Sequence, residues 1–275
     1  MRALLLSLAS ATTLLGEVDL REVIRRAVAA DERNWKVARN YTFLERVEVR
    51  RLDSQGRVKS KEVRTYDVTL LERSPYRRLV ERDDHPLPPG EEKKEQEKLV
   101  KTIAERRKET EAQRAERLAE YEKRPERPRD AWRELPDAFD FRLAGEEMLD
   151  GHSLYVIEAT PREGYQPRSR TAKVFLRLQA KLWVDKQAHQ LVKAKAEVMD
   201  TISVGLFLVR VAKGSCASFE QTRVNDEVWL PRRVQTFASA RLALLKALHI
   251  EQDISYSKYR KFQADSRIMC PAETK

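Results

Sequence analysis

Three residues with chemically useful side chains lie close together in the stretch AKLWVDKQAHQLVKAKAEV. Trp183, Asp185 and His189 fall within seven positions of one another. An aspartate beside a histidine is the pair that orients a general base and stabilises its charged form. This chemistry also needs a reacting group at hydrogen-bonding distance, and no nucleophile motif accompanies the pair.

The same stretch has the pattern of two strands joined by a turn. Residues 181–185 and 191–198 are rich in strand-forming residues, and residues 186–189 are polar and suit a turn. We therefore interpret Trp183 as a core or cavity-wall residue, Asp185 as a turn-forming residue and His189 as a turn residue exposed to water.

The rest of the sequence lacks the common catalytic patterns. It contains no GxSxG, GxxxxGK[ST], GxGxxG or HExxH motif. Acidic pairs such as Asp83–Asp84 are expected in a chain with 44 acidic residues. The histidines have no second ligand at a metal-binding spacing; they are His85, His152, His189 and His249. We predict no enzyme activity, no catalytic residue, no metal site and no cofactor.

Composition and the N-terminus indicate an exported, folded protein. The 275 residues are 41% hydrophobic and carry a net charge of +10. This charge suits contact with anionic surfaces, but it is not evidence for nucleic-acid binding. An apolar run from Ala3 to Leu15 is too short to span a bilayer and has the length of a signal-peptide core. We predict a signal peptide at residues 1–16 and a periplasmic location in a Gram-negative-type envelope. The alternative is the start of an amphipathic helix.

Two cysteines, Cys216 and Cys270, are the whole thiol inventory. In an oxidising compartment an even number of cysteines can pair, so a Cys216–Cys270 disulfide is one prediction. Two unrelated thiols are the alternative. Neither cysteine has a CxxC partner or an adjacent histidine, which argues against a metal or redox site.

Hydrophobic periodicity outlines the elements that position these residues. Apolar residues at helical spacing predict a helix over 18–40. Alternation of apolar and charged residues from Tyr41 predicts an antiparallel meander with one solvent-exposed face. Residues 91–124 predict one long exposed helix, with 11 basic and 10 acidic residues and no Gly or Pro. This helix is either a solvated insertion, which we favour, or a partner-binding arm.

The second half of the chain is predicted to be mostly strands. Asp150–Gly151 is a hairpin signal, and the segment SVGLFLVRV, residues 203–211, is apolar on both faces of one predicted strand. Such a strand is either covered by a helix or lines a cavity. The segment ARLALLKALH is ambiguous, because its leucines recur every three residues whereas strands flank it.

Basic residues concentrate between positions 168 and 195, where a single acid, Asp185, accompanies them. This patch is a candidate contact with an anionic membrane surface, and the alternative is the outward face of a hairpin and a helix. Its members are Arg168, Arg170, Lys173, Arg177, Lys181, Lys186, Lys193 and Lys195.

A series of features occurs along the chain in this order: the export signal, the long helix, the meander, EEMLDGHSLYVIEATP, KLWVDKQAHQLVKAKAEV, VWLPRRVQTF and YSKYRKF. Through these features the sequence resembles the LolA/LolB/RseB-like superfamily of envelope proteins. The resemblance covers residues 17–265, with the charged segment 91–124 as an insertion and 266–275 as a tail. It implies one α+β domain, in which a strongly curved antiparallel sheet, an incomplete β-barrel, wraps over helices around a hydrophobic cavity.

The resemblance implies a periplasmic binding or carrier protein for a lipid, a lipoprotein acyl chain or another apolar ligand. The alternative is a structural or sensory envelope protein that acts through protein contacts, with its cavity filled by its own side chains. We predict no nucleic-acid partner. The predicted cavity wall consists of Phe43, Val47, Trp183, Leu206, Phe207, Leu208 and Trp229.

Overall fold

The computed structural model describes residues 18–123, 129–204, 209–242 and 246–262. The predicted signal peptide, residues 1–16, and the predicted tail, residues 266–275, lie outside the described residues. The described chain forms a curved, open antiparallel sheet of 13 strands with helices, which confirms the predicted α+β class and incomplete barrel. None of the described helices is long and apolar enough to cross a membrane.

Helix α1, Leu20–Ala38, begins as the sequence predicts. The Asp19 side chain accepts a hydrogen bond from the Glu22 backbone N–H, which caps the first turn. The apolar face of the helix packs on the sheet through Val23, Ile24 and Ala27. The Asn34 side chain then bonds both the N–H and the C=O of Trp229, at 2.8 and 2.7 Å, and so ties the helix to a strand end.

The predicted meander forms the first edge of the sheet. Its strands are β1 (Tyr41–Leu52), β2 (Val58–Leu71), β3 (Ser74–Arg82) and the two-residue β4 (His85–Pro86). Half-buried and buried positions alternate in β2 from Glu62 to Thr65, whereas most residues of β1 and β3 are half-buried.

The charged insertion forms two helices, so the prediction of one helix over 91–124 is wrong. They are α2, Pro89–Lys108, and α3, Glu111–Lys123. Thr110 breaks the run: the Gln113 N–H donates to Thr110 Oγ1, and the Thr110 N–H donates to Gln113 Oε1. This reciprocal capping box satisfies two backbone donors and starts a new helix.

Two arginines hold these helices against the edge of the sheet. Arg106 of α2 donates to the carbonyl oxygens of Leu71 and Ser74 at 2.7 and 3.2 Å. Arg117 of α3 donates to Ser74 Oγ at 2.6 Å and also donates to both carboxylate oxygens of Glu109.

Residues 129–138 form helix α4, Arg129–Ala138, in a proline-containing part of the sequence. Pro136 lies in the last turn of this helix. Its carbonyl oxygen accepts a hydrogen bond from Arg21 Nη1 at 2.5 Å, which joins α4 to α1.

Two hairpins form the other edge of the sheet, as predicted. Asp150 and Gly151 both have positive φ, 49° and 81°, which suits a tight hairpin turn. A 3₁₀ helix, Ala172–Arg177, lies between the hairpins. The strands are β5 (Phe139–Leu149), β6 (His152–Pro161), β7 (Leu178–Asp185) and β8 (Leu191–Val198).

The segment predicted as one apolar strand is two short strands, β9 (Ile202–Val204) and β10 (Val209–Val211), which pair antiparallel. That prediction is therefore wrong. The sequence itself contains a signal against one continuous strand, since an isolated glycine such as Gly205 weakens a strand. The predicted cavity-wall residues Leu206, Phe207 and Leu208 lie outside the described residues.

Three long strands complete the centre of the sheet: β11 (Cys216–Val224), β12 (Val228–Leu242) and β13 (Lys246–Lys261). The ambiguous leucine-rich segment is thus strand on both sides of residues 243–245. The strands run in the order β4-β3-β2-β1-β13-β12-β11-β8-β7-β6-β5, with β10 beside β12 and β9 beside β10. The last three strands therefore join the first meander to the two later hairpins.

Candidate functional site

A cavity of about 440 Å³ lies between helices α1 and α4 and one face of the sheet. Its volume is within the range of about 300–1,000 Å³ that small-molecule sites occupy. Ten of its lining residues are apolar: Ile24, Ala27, Val28, Trp35, Trp132, Leu135, Leu182, Leu191, Ala194 and Phe219.

Helical spacing places the cavity roof. Ile24, Ala27, Val28 and Trp35 recur at the intervals that put side chains on one face of α1. α4 crosses beside it and contributes Trp132 and Leu135.

Strand alternation places the cavity floor. Leu182 of β7, Ala194 of β8 and Phe219 of β11 lie directly opposite one another in register. Directly paired residues of neighbouring strands point to the same face of a sheet. These three side chains therefore lie side by side beneath α1 and α4.

The floor belongs to a longer apolar row that crosses seven neighbouring strands. Each member is paired in register with the next, and the row ends where Val47 meets Arg64. Ile157 is fully buried under the helices, whereas Val234, Ile254 and Val47 are half-buried beyond the cavity. The row is Ile157, Leu182, Ala194, Phe219, Val234, Ile254 and Val47.

Charged side chains surround the apolar wall. Glu32 of α1 and Arg133 of α4 form an ion pair at 2.7 Å, which joins the two helices at the rim. The pair is exposed to solvent, so it contributes little to stability. Asp31, Lys36 and Arg39 also line the rim.

A buried carboxylate in α4, that of Glu134, joins this helix to the loop that follows β6. Glu134 accepts hydrogen bonds from the Tyr165 hydroxyl at 2.5 Å and from the N–H groups of Arg168 and Ser169 at 2.7 and 2.9 Å. Burial raises the pKa of Glu134, but these bonds to the ionised form outweigh it and lower the pKa to about 2. The loop after β6 is thereby attached to the helix that roofs the cavity.

The described residues of the predicted cavity wall lie outside this cavity lining. Trp183 and Trp229 pack together on the opposite face of the sheet with Leu154, Val156 and Val192. Val47 lies on the cavity face, at the far end of the apolar row. Phe43 packs edge-on against Tyr256, with ring centroids 5.5 Å apart. A ligand-binding role for these residues stays a prediction.

The aspartate and histidine of the opening stretch do not face each other as a catalytic pair. Asp185 Oδ1 accepts from the N–H groups of Gln187 and Ala188, as a turn-forming residue does. His189 has φ of 52° and is half-buried, with Nδ1 covered and unbonded, so the prediction that it is exposed to water is wrong. Asp185 Oδ2 lies 2.9 Å from Nδ1 of His152, a contact between two hairpins that the sequence does not indicate.

The structure also locates the thiols and the basic patch. Cys216 is exposed and free within the described residues, whereas Cys270 lies outside them, so the disulfide stays a prediction. Four of the eight basic residues of the patch have acidic partners, which reduces its effective charge: Arg168 with Asp137, Arg177 with Asp200, Lys186 with Glu146 and Lys193 with Glu220. In the described chain, no group of acidic, histidine or cysteine side chains forms a metal-binding cluster.

No protein-family model matches the sequence, and no curated protein matches it. An outer membrane lipoprotein-sorting protein domain from Vibrio parahaemolyticus matches 89% of this chain and 95% of its own, with 10% identity and a TM-score of 0.36. A LolA superfamily protein from Nitrosomonas europaea matches 89% and 94%, with 12% identity and a TM-score of 0.31.

The MucA/MucB complex of Pseudomonas aeruginosa also matches, over 90% of this chain and 100% of the other, with 12% identity and a TM-score of 0.26. The protein from Nitrosomonas europaea bears the name of the superfamily that the sequence resembles. At these identities and TM-scores, the matches identify neither a ligand nor an activity for this chain.

Proposed function

We propose that this protein is a periplasmic binding or carrier protein that holds an apolar ligand, the acyl chain of a lipid or lipoprotein, between α1, α4 and the sheet. The observation that carries the proposal is the 440 Å³ cavity with ten apolar lining residues. Each methylene group moved from water into such a site contributes about 0.8 kcal/mol. Burial of its methylene groups alone can thus bind an alkyl chain, without a hydrogen bond or ion pair from the protein.

The periplasmic part of the proposal rests on the N-terminal sequence. The apolar run from Ala3 to Leu15 has the length of a signal-peptide core. Acyl chains need shielding from water in an aqueous compartment, so an apolar cavity suits an exported carrier.

Filling the cavity tests the proposal. Ala194 lies on the floor, and Ala194→Phe places a ring where the ligand would lie. We expect at least tenfold weaker binding of an alkyl fluorophore such as a pyrene-labelled fatty acid, measured by fluorescence titration. Ala217→Phe is the matched control, because Ala217 is an exposed residue of the neighbouring strand and lies outside this cavity.

Equal probe binding by wild type and Ala194→Phe, with both proteins folded by circular dichroism, contradicts this site. Absence of binding by the wild-type protein, together with no co-purified lipid in native mass spectrometry, favours the alternative. In that alternative the protein is a structural or sensory component of the envelope, and the exposed faces of α2 and α3 contact a partner.

A further inference from the structure

A second and larger cavity, a groove of about 920 Å³, lies across the sheet face that points away from α1. Its lining residues come from seven neighbouring strands, β6, β7, β8, β11, β12, β13 and β1. The volume falls within the range of ligand sites, and the lining is rich in charged and amide side chains. It is thus chemically unlike the cavity beneath the helices.

A polar row forms the floor of this groove. Its members are paired in register across the seven strands, each one residue away from a member of the apolar row on the other face. The row is Glu158, Lys181, Lys195, Ser218, Gln235, Asp253 and Glu48.

Every carboxylate that lines the groove has a hydrogen-bond or ion-pair partner among the described residues. Asp253 accepts from Arg233 at 2.5 Å and from Gln235 at 3.1 Å. Glu48 is 7% exposed and is contacted by Arg46, Arg50 and Lys61. The remaining contacts are Arg142 with Glu158, Gln179 with Glu197 and Arg50 with Glu251.

Two cations of the groove have no such partner. Lys181 of β7 and Lys195 of β8 lie directly opposite each other. Neither forms an ion pair with a described residue, although Glu158 of β6 lies opposite Lys181 in register. The Lys181 ammonium group lies 5.7 Å from the centroid of the Trp183 ring. By contrast, Lys193 on the same face pairs with Glu220 at 3.0 Å.

Like charges placed directly opposite on neighbouring strands repel each other and destabilise the sheet. An anion between two ammonium groups reverses this effect, because each group then donates charge-assisted hydrogen bonds. The groove is much larger than a single ion, so the anionic group would belong to a larger ligand.

We propose that the groove on the outer face is a second binding site, for a ligand whose phosphate or carboxylate group lies between Lys181 and Lys195. The site is separate from the apolar cavity, because the two lie on opposite faces of the same strands. The proposal therefore stands or fails independently of the acyl-chain function.

Calorimetric titration with inorganic phosphate and with acetate, at constant ionic strength, tests the site. We expect one of the two anions to bind the wild-type protein, and Lys195→Gln to weaken that binding at least fivefold. Lys173→Gln removes the same charge from an exposed position outside the groove and is the control, with affinity expected within twofold of wild type.

Lys195→Glu provides a second readout without ligand. It places a carboxylate opposite Lys181, so we expect the melting temperature to rise while anion binding is lost. Absence of binding of both anions to the wild type overturns the proposal. An equal loss of affinity in Lys195→Gln and Lys173→Gln also overturns it, because general charge then explains the binding.

Discussion

At the scale of single residues, Glu134 combines burial with full ionisation. It is 3% exposed, and its charge accepts hydrogen bonds from three residues, Tyr165, Arg168 and Ser169. A buried charge is tolerated only where such bonds replace water. This carboxylate therefore determines how the loop at residues 165–169 and helix α4 stay together.

The lowered pKa of Glu134 gives a prediction about pH. Its pKa falls from 4.5 to about 2 on folding, so its stabilisation is complete above about pH 4.5 and is lost as the pH falls toward 2. We expect Glu134→Gln to destabilise the protein at pH 7 by on the order of 2 kcal/mol, the cost of hydrogen bonds to a charged group. Urea unfolding at pH 7 and pH 3.5 measures this.

The difference between Glu134→Gln and wild type should shrink at pH 3.5. Glu163→Gln in the same loop is the control, because Glu163 is exposed and should leave stability unchanged at both pH values. A destabilisation by Glu134→Gln that is the same at both pH values contradicts the assignment of the charged form.

Residue types alone indicated part of this site and missed the rest. Trp183 is predicted correctly as a core residue, but Leu182 and Ala194, on the other side of the sheet, form the cavity floor. The alternation of β7 and β8 is visible in the sequence. Which of the two faces meets α1 is not, because it depends on packing between distant segments.

At the scale of elements, the charged insertion is a helical hairpin fixed to an edge of the sheet. Neither helix has a strong apolar face, and α2 has no fully buried residue. Arginine contacts to the turn between β2 and β3 therefore replace apolar packing. A helix pair held mainly by polar contacts is expected to open locally before the sheet unfolds.

Arg117→Ala tests this attachment. The substitution removes charge-assisted hydrogen bonds to Ser74 and Glu109, so we expect faster amide exchange throughout α2 and α3. Exchange in β7 and β8 should be unchanged in hydrogen–deuterium exchange mass spectrometry. Arg107→Ala, at an exposed position of α2, should have no effect. Equal protection of α2 and α3 in wild type and Arg117→Ala would show that the arginine contacts are dispensable.

Local sequence signals account for most of the elements. The Asp19 cap, the Asp150–Gly151 turn and the alternation from Tyr41 predict α1, the β5–β6 hairpin and the first meander. The Thr110–Gln113 capping box was a readable signal for the break in the charged helix. The pairing of β1 with β13 could not be predicted from the sequence, since no local pattern encodes it. More than 190 residues separate partners such as Val47 and Ile254.

At the scale of the whole molecule, one sheet separates two chemically different sites. The apolar row and the polar row use alternate residues of the same strands. Ala194 and Lys195 are consecutive in β8, yet one lines the apolar cavity and the other lines the groove.

This arrangement predicts two independent binding events. Ala194→Phe should weaken binding of the alkyl fluorophore at least tenfold and leave anion affinity within twofold of wild type. Lys195→Gln should do the reverse. Parallel titrations of both variants with both ligands measure this, and a loss of both activities in either variant would show that the sites are coupled.

The same arrangement limits which changes of length the chain tolerates. A single residue inserted into β8 reverses the face of every side chain after it, because strand side chains alternate with a period of two. Lys195 would then face the apolar cavity and its neighbours would exchange sides with it. Insertions within the central strands must therefore add two residues, or one residue with a compensating bulge. The turns at the hairpin ends can accept an odd number of residues, because they do not alternate between the two faces.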